Sequence, residues 1–113
     1  MDNYIQGESI ELAITINDEN GTIIDLDTLL TISISVYNRD TNVVLKAGTK
    51  ADGDITYDSV ASTGIIKFYI EDGLTSLANT GVYSYILSVT QFDSGFDDNT
   101  DTGKYTENAF TLK

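Results

Sequence analysis

The densest group of side chains that could do chemistry is a set of four aspartates in the last quarter of the chain. Asp97, Asn99 and Asp101 have the one-three-five spacing of the oxygen ligands in a helix-loop-helix calcium site. The match ends there, because Thr102 occupies the position that needs glycine and Asn108 the position that needs a bidentate glutamate. We therefore expect a solvated acidic loop and no bound cofactor. Asp97, Asn99 and Asp101 are the candidate calcium ligands.

The chain contains few residue types that support catalysis, because it has no histidine and no cysteine. This composition excludes Ser-His-Asp and Cys-His arrangements, thiolate nucleophiles and nearly all zinc, copper and haem ligation. Asp25 with Asp27 and Asp52 with Asp54 are spaced as an acid and a base could be. Both pairs lie in predicted turns, where aspartate commonly bonds to nearby backbone. We therefore expect a protein that is not an enzyme.

Seven tyrosines and four phenylalanines could form a contact surface, because aromatic faces bind at low entropic cost. Most of them fall on the apolar faces of predicted strands and are explained by packing. Tyr4, Phe92 and Phe96 instead lie near an end or in a loop. For these three residues local packing and contact with a partner both stay open, and they are the candidate interface residues.

The charge is strongly negative, with six Lys and Arg against eighteen Asp and Glu and a net charge of -12. Such a field repels phosphate backbones and anionic lipid headgroups, so nucleic acid and membrane are not expected partners. Acidity could serve solubility alone or match a specific cationic partner. Neither a signal-like start nor a long apolar run is encoded, so we expect the protein to stay in the cell or to leave it by assembly or lysis.

Apolar residues alternate with polar residues in several short runs, as in half-buried strands. The clearest runs cover residues 10–16, 32–36, 65–70, 82–91 and 104–113. Shorter strands are expected at 43–45 and 55–57, a polar loop at 48–54, and single helical turns or corners at 25–30 and 71–77. These elements predict an antiparallel β-sandwich of about seven to nine strands, forming a single domain over residues 1–113. Immunoglobulin-like and jelly-roll strand orders both stay open, because the alternation specifies faces and not topology.

Turn and strand signals follow one another in a characteristic order along almost the whole chain. They are Gln6-Gly7-Glu8, the turn at 18–21, Ile24-Asp25-Leu26, the strand at 32–36, Gly64 to Phe68, the corner at 71–77 and Gly81 to Tyr85. This order resembles the small immunoglobulin-like domains of tailed-phage virions, which include head auxiliary proteins and the amino-terminal domain of baseplate upper proteins. The chain departs from them in lacking the usual proline before the aspartate-leucine corner and in its long loop at 92–103.

The resemblance implies an immunoglobulin-like fold and a structural, non-enzymatic role in a virion assembled in the cytoplasm of a bacterial host. A head auxiliary or decoration protein is the first expectation, with the major capsid protein or another virion structural protein, in multiple copies, as its partner. A tail or baseplate adaptor domain is the second. A carbohydrate-binding or adhesive sandwich is the alternative from another functional class.

Overall fold

The computed structural model describes residues 2–18 and 20–113, which form two β-sheets packed face to face. The strands are β1 (Asp2–Tyr4), β2 (Ile10–Thr15), β3 (Leu29–Asn38), β4 (Val44–Thr49), β5 (Ile55–Tyr57), β6 (Ile65–Ile70), β7 (Gly81–Phe92) and β8 (Thr100–Leu112). One sheet has the order β1-β8-β7-β3-β4 and the other the order β2-β6-β5. β1 pairs with β8 in parallel, and the other pairs are antiparallel. The expected all-β sandwich is therefore confirmed.

The core is built from the apolar faces that the sequence alternation defines. Its buried members include Ile10, Leu12, Ile16, Ile32, Ile34, Val36, Ile66, Phe68, Ile70, Tyr83, Tyr85, Leu87, Val89, Phe110 and Leu112. Phe68 in the smaller sheet and Phe110 in the larger sheet are both 0% exposed, so each sheet contributes a fully enclosed ring. Ile14 lies on the same face of β2 as the buried Ile10 and Leu12 but is only half-buried. The core is therefore not fully covered at this place.

The strand order selects the immunoglobulin-like topology. In that sandwich strands B, E and D lie in one sheet and C, F and G in the other. Here β2, β6 and β5 form the first group, and β3, β7 and β8 lie together in the second. Tyr83, near the start of β7, donates a hydrogen bond from its hydroxyl to the carbonyl oxygen of Asn79 at 2.7 Å. This is the tyrosine corner of immunoglobulin sandwiches, in which the hydroxyl bonds to backbone a few residues upstream.

The expected corner after residue 24 is a 3-10 turn, Leu26–Thr28. The side chain of Asp25 caps this turn by accepting a hydrogen bond from the Asp27 backbone N–H at 3.0 Å. A second 3-10 turn covers Ala61–Thr63 and is followed by Gly64 in a left-handed conformation.

The other corner is a short helix, α1 (Asp72–Leu77), and its buried Thr75 holds the chain between β1 and β2. The Thr75 hydroxyl donates to the carbonyl oxygen of Glu8 at 2.7 Å and accepts from the Gly7 N–H at 3.2 Å. The Thr75 hydroxyl thus helps to fix the point where the chain crosses from the larger sheet to the smaller one. None of the helices among residues 2–18 and 20–113 has the length and apolar character needed to cross a membrane.

Several strand boundaries differ from the sequence-based expectation. β3 covers Leu29–Asn38 and not only residues 32–36, so residues 29–30 of the expected corner lie in a strand. β8 begins at Thr100 and not at residue 104, because it pairs with β7 as far as Phe92 through polar residues that carry no alternation. β4 continues to Thr49, so Gly48 lies in a strand and not in the expected loop. A Cβ atom at Gly48 would lie 2.8 Å from the Phe68 ring, which explains the glycine. β1 was not expected as a strand.

The turn at 18–21 includes Glu19, which lies outside the described residues. Its last residue, Gly21, has φ +80°, as the Asn-Gly signal favours. The Asp18 carboxylate accepts hydrogen bonds from the N–H groups of Asn20 and Thr22, both at 2.9 Å. Local backbone bonding therefore accounts for this aspartate.

The tyrosine corner generates a stability prediction. Replacing Tyr83 by Phe removes the hydroxyl and keeps the packed ring, so the free energy of unfolding should fall by about 1 kcal/mol, as for one lost hydrogen bond. Urea denaturation followed by circular dichroism measures the change. Tyr69→Phe removes the hydroxyl of an exposed ring and should alter stability by less than about 0.5 kcal/mol. Equal losses in the two variants would mean that the corner adds nothing to stability.

Candidate functional site

The acidic loop is the tip of a long hairpin formed by β7 and β8. Two of its carboxylates are used by the tip itself. Asp93 accepts from the Gly95 N–H at 2.8 Å, and Asp98 accepts from the Thr100 N–H at 3.1 Å. The bond from Thr100 favours the ionised carboxylate and lowers the pKa of Asp98. These are the local hydrogen bonds expected of aspartates in a turn.

The three candidate calcium ligands do not all lie in the loop. Asp97 and Asn99 are in the tip, where Asn99 has a left-handed backbone with φ +59°, whereas Asp101 lies in β8 opposite Gln91. Within residues 2–18 and 20–113 no three acidic, histidine or cysteine side chains form a group that could hold a metal ion. The solvated acidic loop without a bound ion stays the prediction for these residues.

The three candidate interface aromatics lie in two different environments. Phe92 at the end of β7 and Phe96 in the tip are 66% and 50% exposed, so both rings are available to a partner. Tyr4 is half-buried in β1, and its ring packs edge-on against Phe110 with 5.8 Å between the centroids. Burial, with a further contribution from the Asp2 carboxylate, raises the pKa of the Tyr4 phenol. Part of the Tyr4 side chain is therefore committed to the fold.

An exposed apolar surface, which we call the α1–β4 patch, was not identified from the sequence. It consists of Val43, Val44, Leu74 and Leu77, which are 62%, 53%, 37% and 89% exposed and line a shallow depression of about 210 Å³. β4 is the edge strand of the larger sheet, and among residues 2–18 and 20–113 no strand pairs with its outer backbone edge beside this patch. The sequence gives no separate signal, because a short apolar strand and a leucine-containing corner are also typical of a core.

A wide concavity, which we call the β2–β8 cleft, has a volume of about 770 Å³. One wall follows the chain continuously from Glu11 to Asp18, and the opposite wall includes Tyr105 and Glu107 of β8. The cleft exists because β2 is an edge strand of the smaller sheet and because β1 covers β8 only along Phe110–Leu112. The sandwich is thus open along this side.

A tyrosine and a carboxylate are paired inside the cleft. The hydroxyl of the buried Tyr85 donates to the carboxylate of Glu107 at 3.2 Å. Burial is the main cause that raises the pKa of Tyr85 to about 12, and the negative charge of Glu107 is the second cause. The phenol is therefore protonated at neutral pH and can serve as the donor to Glu107.

In each of the two candidate acid-base pairs, one carboxylate accepts a hydrogen bond from nearby backbone. Asp25 caps its 3-10 turn, and Asp54 accepts from the Thr49 N–H at 3.3 Å. Asp52 is exposed on the same loop as Asp54. The bonds of Asp25 and Asp54 agree with the expectation that aspartates at these turns serve local structure.

Comparison with known proteins supplies no relative: no protein-family model matches the chain, and no curated protein is significantly similar to it. The functional proposal therefore depends on the sequence resemblance, the fold and these surfaces.

The raised pKa of Tyr85 predicts how stability depends on pH. The unfolded chain loses this proton near pH 10, whereas the native state holds it to about pH 12. The native state therefore binds more protons in this interval, so the stability contributed by the buried phenol is full below pH 10 and is lost as pH rises toward 12. Ultraviolet titration should reveal a late phase of tyrosine ionisation near pH 12.

Tyr85→Phe should remove the late phase, and Glu107→Gln should shift it partway toward pH 10, because the carboxylate is only the second cause. A late phase that persists in Tyr85→Phe would assign the raised pKa to a different tyrosine.

Proposed function

We propose that this chain is a non-enzymatic structural protein of a tailed-phage virion, specifically a head auxiliary or decoration protein that binds the capsid. The order of its turn and strand signals and its immunoglobulin-like sandwich support this proposal. The observation that carries it is the α1–β4 patch, an apolar surface beside an unpaired strand edge. A protein partner can use both features at once, through side-chain burial and backbone pairing.

The size of the patch favours binding in many copies. Full burial of one large aliphatic side chain contributes about 1.5–3 kcal/mol. Association costs about 4–15 kcal/mol in lost translational and rotational freedom before any surplus appears as affinity. Four partly exposed side chains therefore support a modest single interface. A symmetric shell repeats such a contact, and a copy that touches two neighbouring subunits gains from the high local concentration of the second site.

The charge of the chain fits a surface that faces outward from an assembly. At a net charge of -12, free copies repel one another, which opposes association through their own apolar patches. A partner that is neutral or basic at the contact meets no such repulsion. The acidic hairpin tip and the other exposed carboxylates would then remain in solvent.

Two other functions have an observation in their favour. A tail or baseplate adaptor could use the same α1–β4 patch, since the fold does not distinguish the two positions in a virion. A carbohydrate-binding or adhesive module is favoured by the exposed rings of Phe92 and Phe96 on the hairpin.

The virion proposal is tested by co-sedimentation of the purified protein with phage particles that lack it, using empty heads and isolated tails separately. We expect binding to heads and not to tails. Leu77→Asp places a charge at the most exposed position of the patch and should weaken head binding at least about tenfold without loss of the folded state. Val60→Asp is the matched control, because Val60 is 57% exposed and lies in the connection from β5 to β6.

Binding to tails alone would move the protein to the baseplate or fibre, and binding to neither would overturn the virion role. Equal effects of Leu77→Asp and Val60→Asp would remove the patch from the interface.

The adhesive alternative is tested by thermal melting with calcium, with chelator and with a panel of glycans. A ligand of the native state raises the midpoint by mass action. We expect no shift from any of them. A shift of several degrees with calcium that is absent from Asp97→Asn would establish a site in the hairpin tip, and a shift with a glycan would favour the adhesive function.

A further inference from the structure

We propose that the β2–β8 cleft binds an extended segment of another protein, which adds to the free edge of β2 as an extra strand and carries basic side chains. The inference concerns a different face from the α1–β4 patch and goes beyond the virion role. It depends on three properties of the cleft: its backbone edge, its partly covered apolar wall and its charge.

The backbone edge of β2 is free and correctly directed. The Ile16 N–H donates to the carbonyl oxygen of Gly64 at 2.8 Å, in register with the β2–β6 pairing. Because successive residues of a strand direct these groups to opposite sides, Glu11, Ala13 and Thr15 direct their N–H and C=O groups away from β6 and toward the cleft. Among the described residues β2 pairs with β6 alone.

The place beside β2 is where an immunoglobulin sandwich can hold a further strand. In that fold the sheet containing B, E and D also includes strand A, next to B. Here the amino-terminal strand β1 lies instead at the edge of the other sheet, where it pairs with β8. The position beside β2 is thus left open by the topology. An added strand would supply backbone bonds there, as in recognition of extended peptides by sheet edges.

Apolar side chains in the cleft are incompletely covered. Tyr105 lies opposite the buried Leu87 on the same face of the larger sheet, yet Tyr105 is 43% exposed. Ile14 faces the core from the other wall and is half-buried. A strand inserted between them would present every second side chain inward, so apolar residues at alternate positions would complete the packing.

The charge of the cleft favours a basic occupant. The carboxylates of Asp2, Asp18 and Glu107 border it, and its described lining contains no lysine or arginine. Glu11 also borders the cleft but is paired with Lys67 at 3.0 Å. A second copy of this chain would bring a net charge of -12 toward these carboxylates, whereas basic side chains on a different protein would be attracted to them.

The test uses a fluorescent synthetic peptide of about eight residues, the length of a short strand, with valine and lysine in alternation. Binding to the full chain is measured by anisotropy. Ala13→Pro removes an N–H from the open edge of β2, at a place where an edge strand tolerates proline. We expect this variant to weaken binding at least about tenfold.

Ala47→Pro is the matched control on edge strand β4. The Lys50 N–H donates to the carbonyl oxygen of Ile32, so the same alternation directs the Ala47 N–H away from β3. Ala13 and Ala47 are both exposed. Ala47→Pro should leave peptide affinity within about twofold, as for a site not in contact with the ligand. A peptide of alternating valine and glutamate should bind at least about tenfold more weakly than the lysine peptide.

Absence of binding by the lysine peptide, or equal affinity for both proline variants, would overturn the proposal. If Ala13→Pro does not fold, hydrogen exchange on the unmodified chain replaces it. The amides of Glu11, Ala13 and Thr15 should then exchange more slowly with the lysine peptide present, while that of Ala47 does not change. Unchanged exchange at β2 would also overturn the inference. Binding of Leu77→Asp and Val60→Asp to phage heads is measured in a separate experiment, so either proposal can fail without the other.

Discussion

The larger sheet exceeds the smaller one by two strands, which at ordinary strand spacing is about 10 Å of width. Its apolar inner face must therefore be covered partly by other elements. Near the β4 edge this is done by α1, whereas at the opposite edge Tyr4 of β1 itself packs its ring against Phe110. Where neither element reaches, the inward-facing Tyr105 and Glu107 of β8 remain exposed. Both proposed binding surfaces arise from this mismatch in sheet width.

The two open sides of the sandwich differ in the contacts that join the two sheets. On the β4 side, the Lys46 ammonium donates to the Tyr69 carbonyl and to the Glu71 carboxylate, each at 2.6 Å, and so joins the sheets. The same ion pair lowers the pKa of Glu71. Gly48 brings the β4 backbone close to Phe68 and closes the gap further. On the β2 side, β1 ends after pairing with Leu112, and the described residues place no such link across the cleft.

The sequence predicts the faces of the strands better than their neighbours. Alternation identified the buried residues of β2, β3, β6 and β7, because burial on one face acts on every second side chain. β1 and the first residues of β8 were not predicted as strands. Short or polar strands are stabilised by pairing partners that lie far away in sequence. The candidate aromatics were chosen for their position outside the predicted strands, but Tyr4 lies in β1 and Phe92 at the end of β7. The α1–β4 patch and the β2–β8 cleft depend on which strands are edges, and a pattern of period two does not contain that information.

Free strand edges ordinarily favour pairing between copies, and this chain contains no proline to block them. Its protection is electrostatic. Exposed Glu11 lies on β2, and Asp2, Asp18 and Glu107 border the same opening, so two copies that approach edge to edge bring like charges together. The repulsion is selective, because the same carboxylates attract a basic strand. An acidic edge can therefore remain unpaired among its own copies and still accept a partner of opposite charge, a combination that a proline at the edge would not permit.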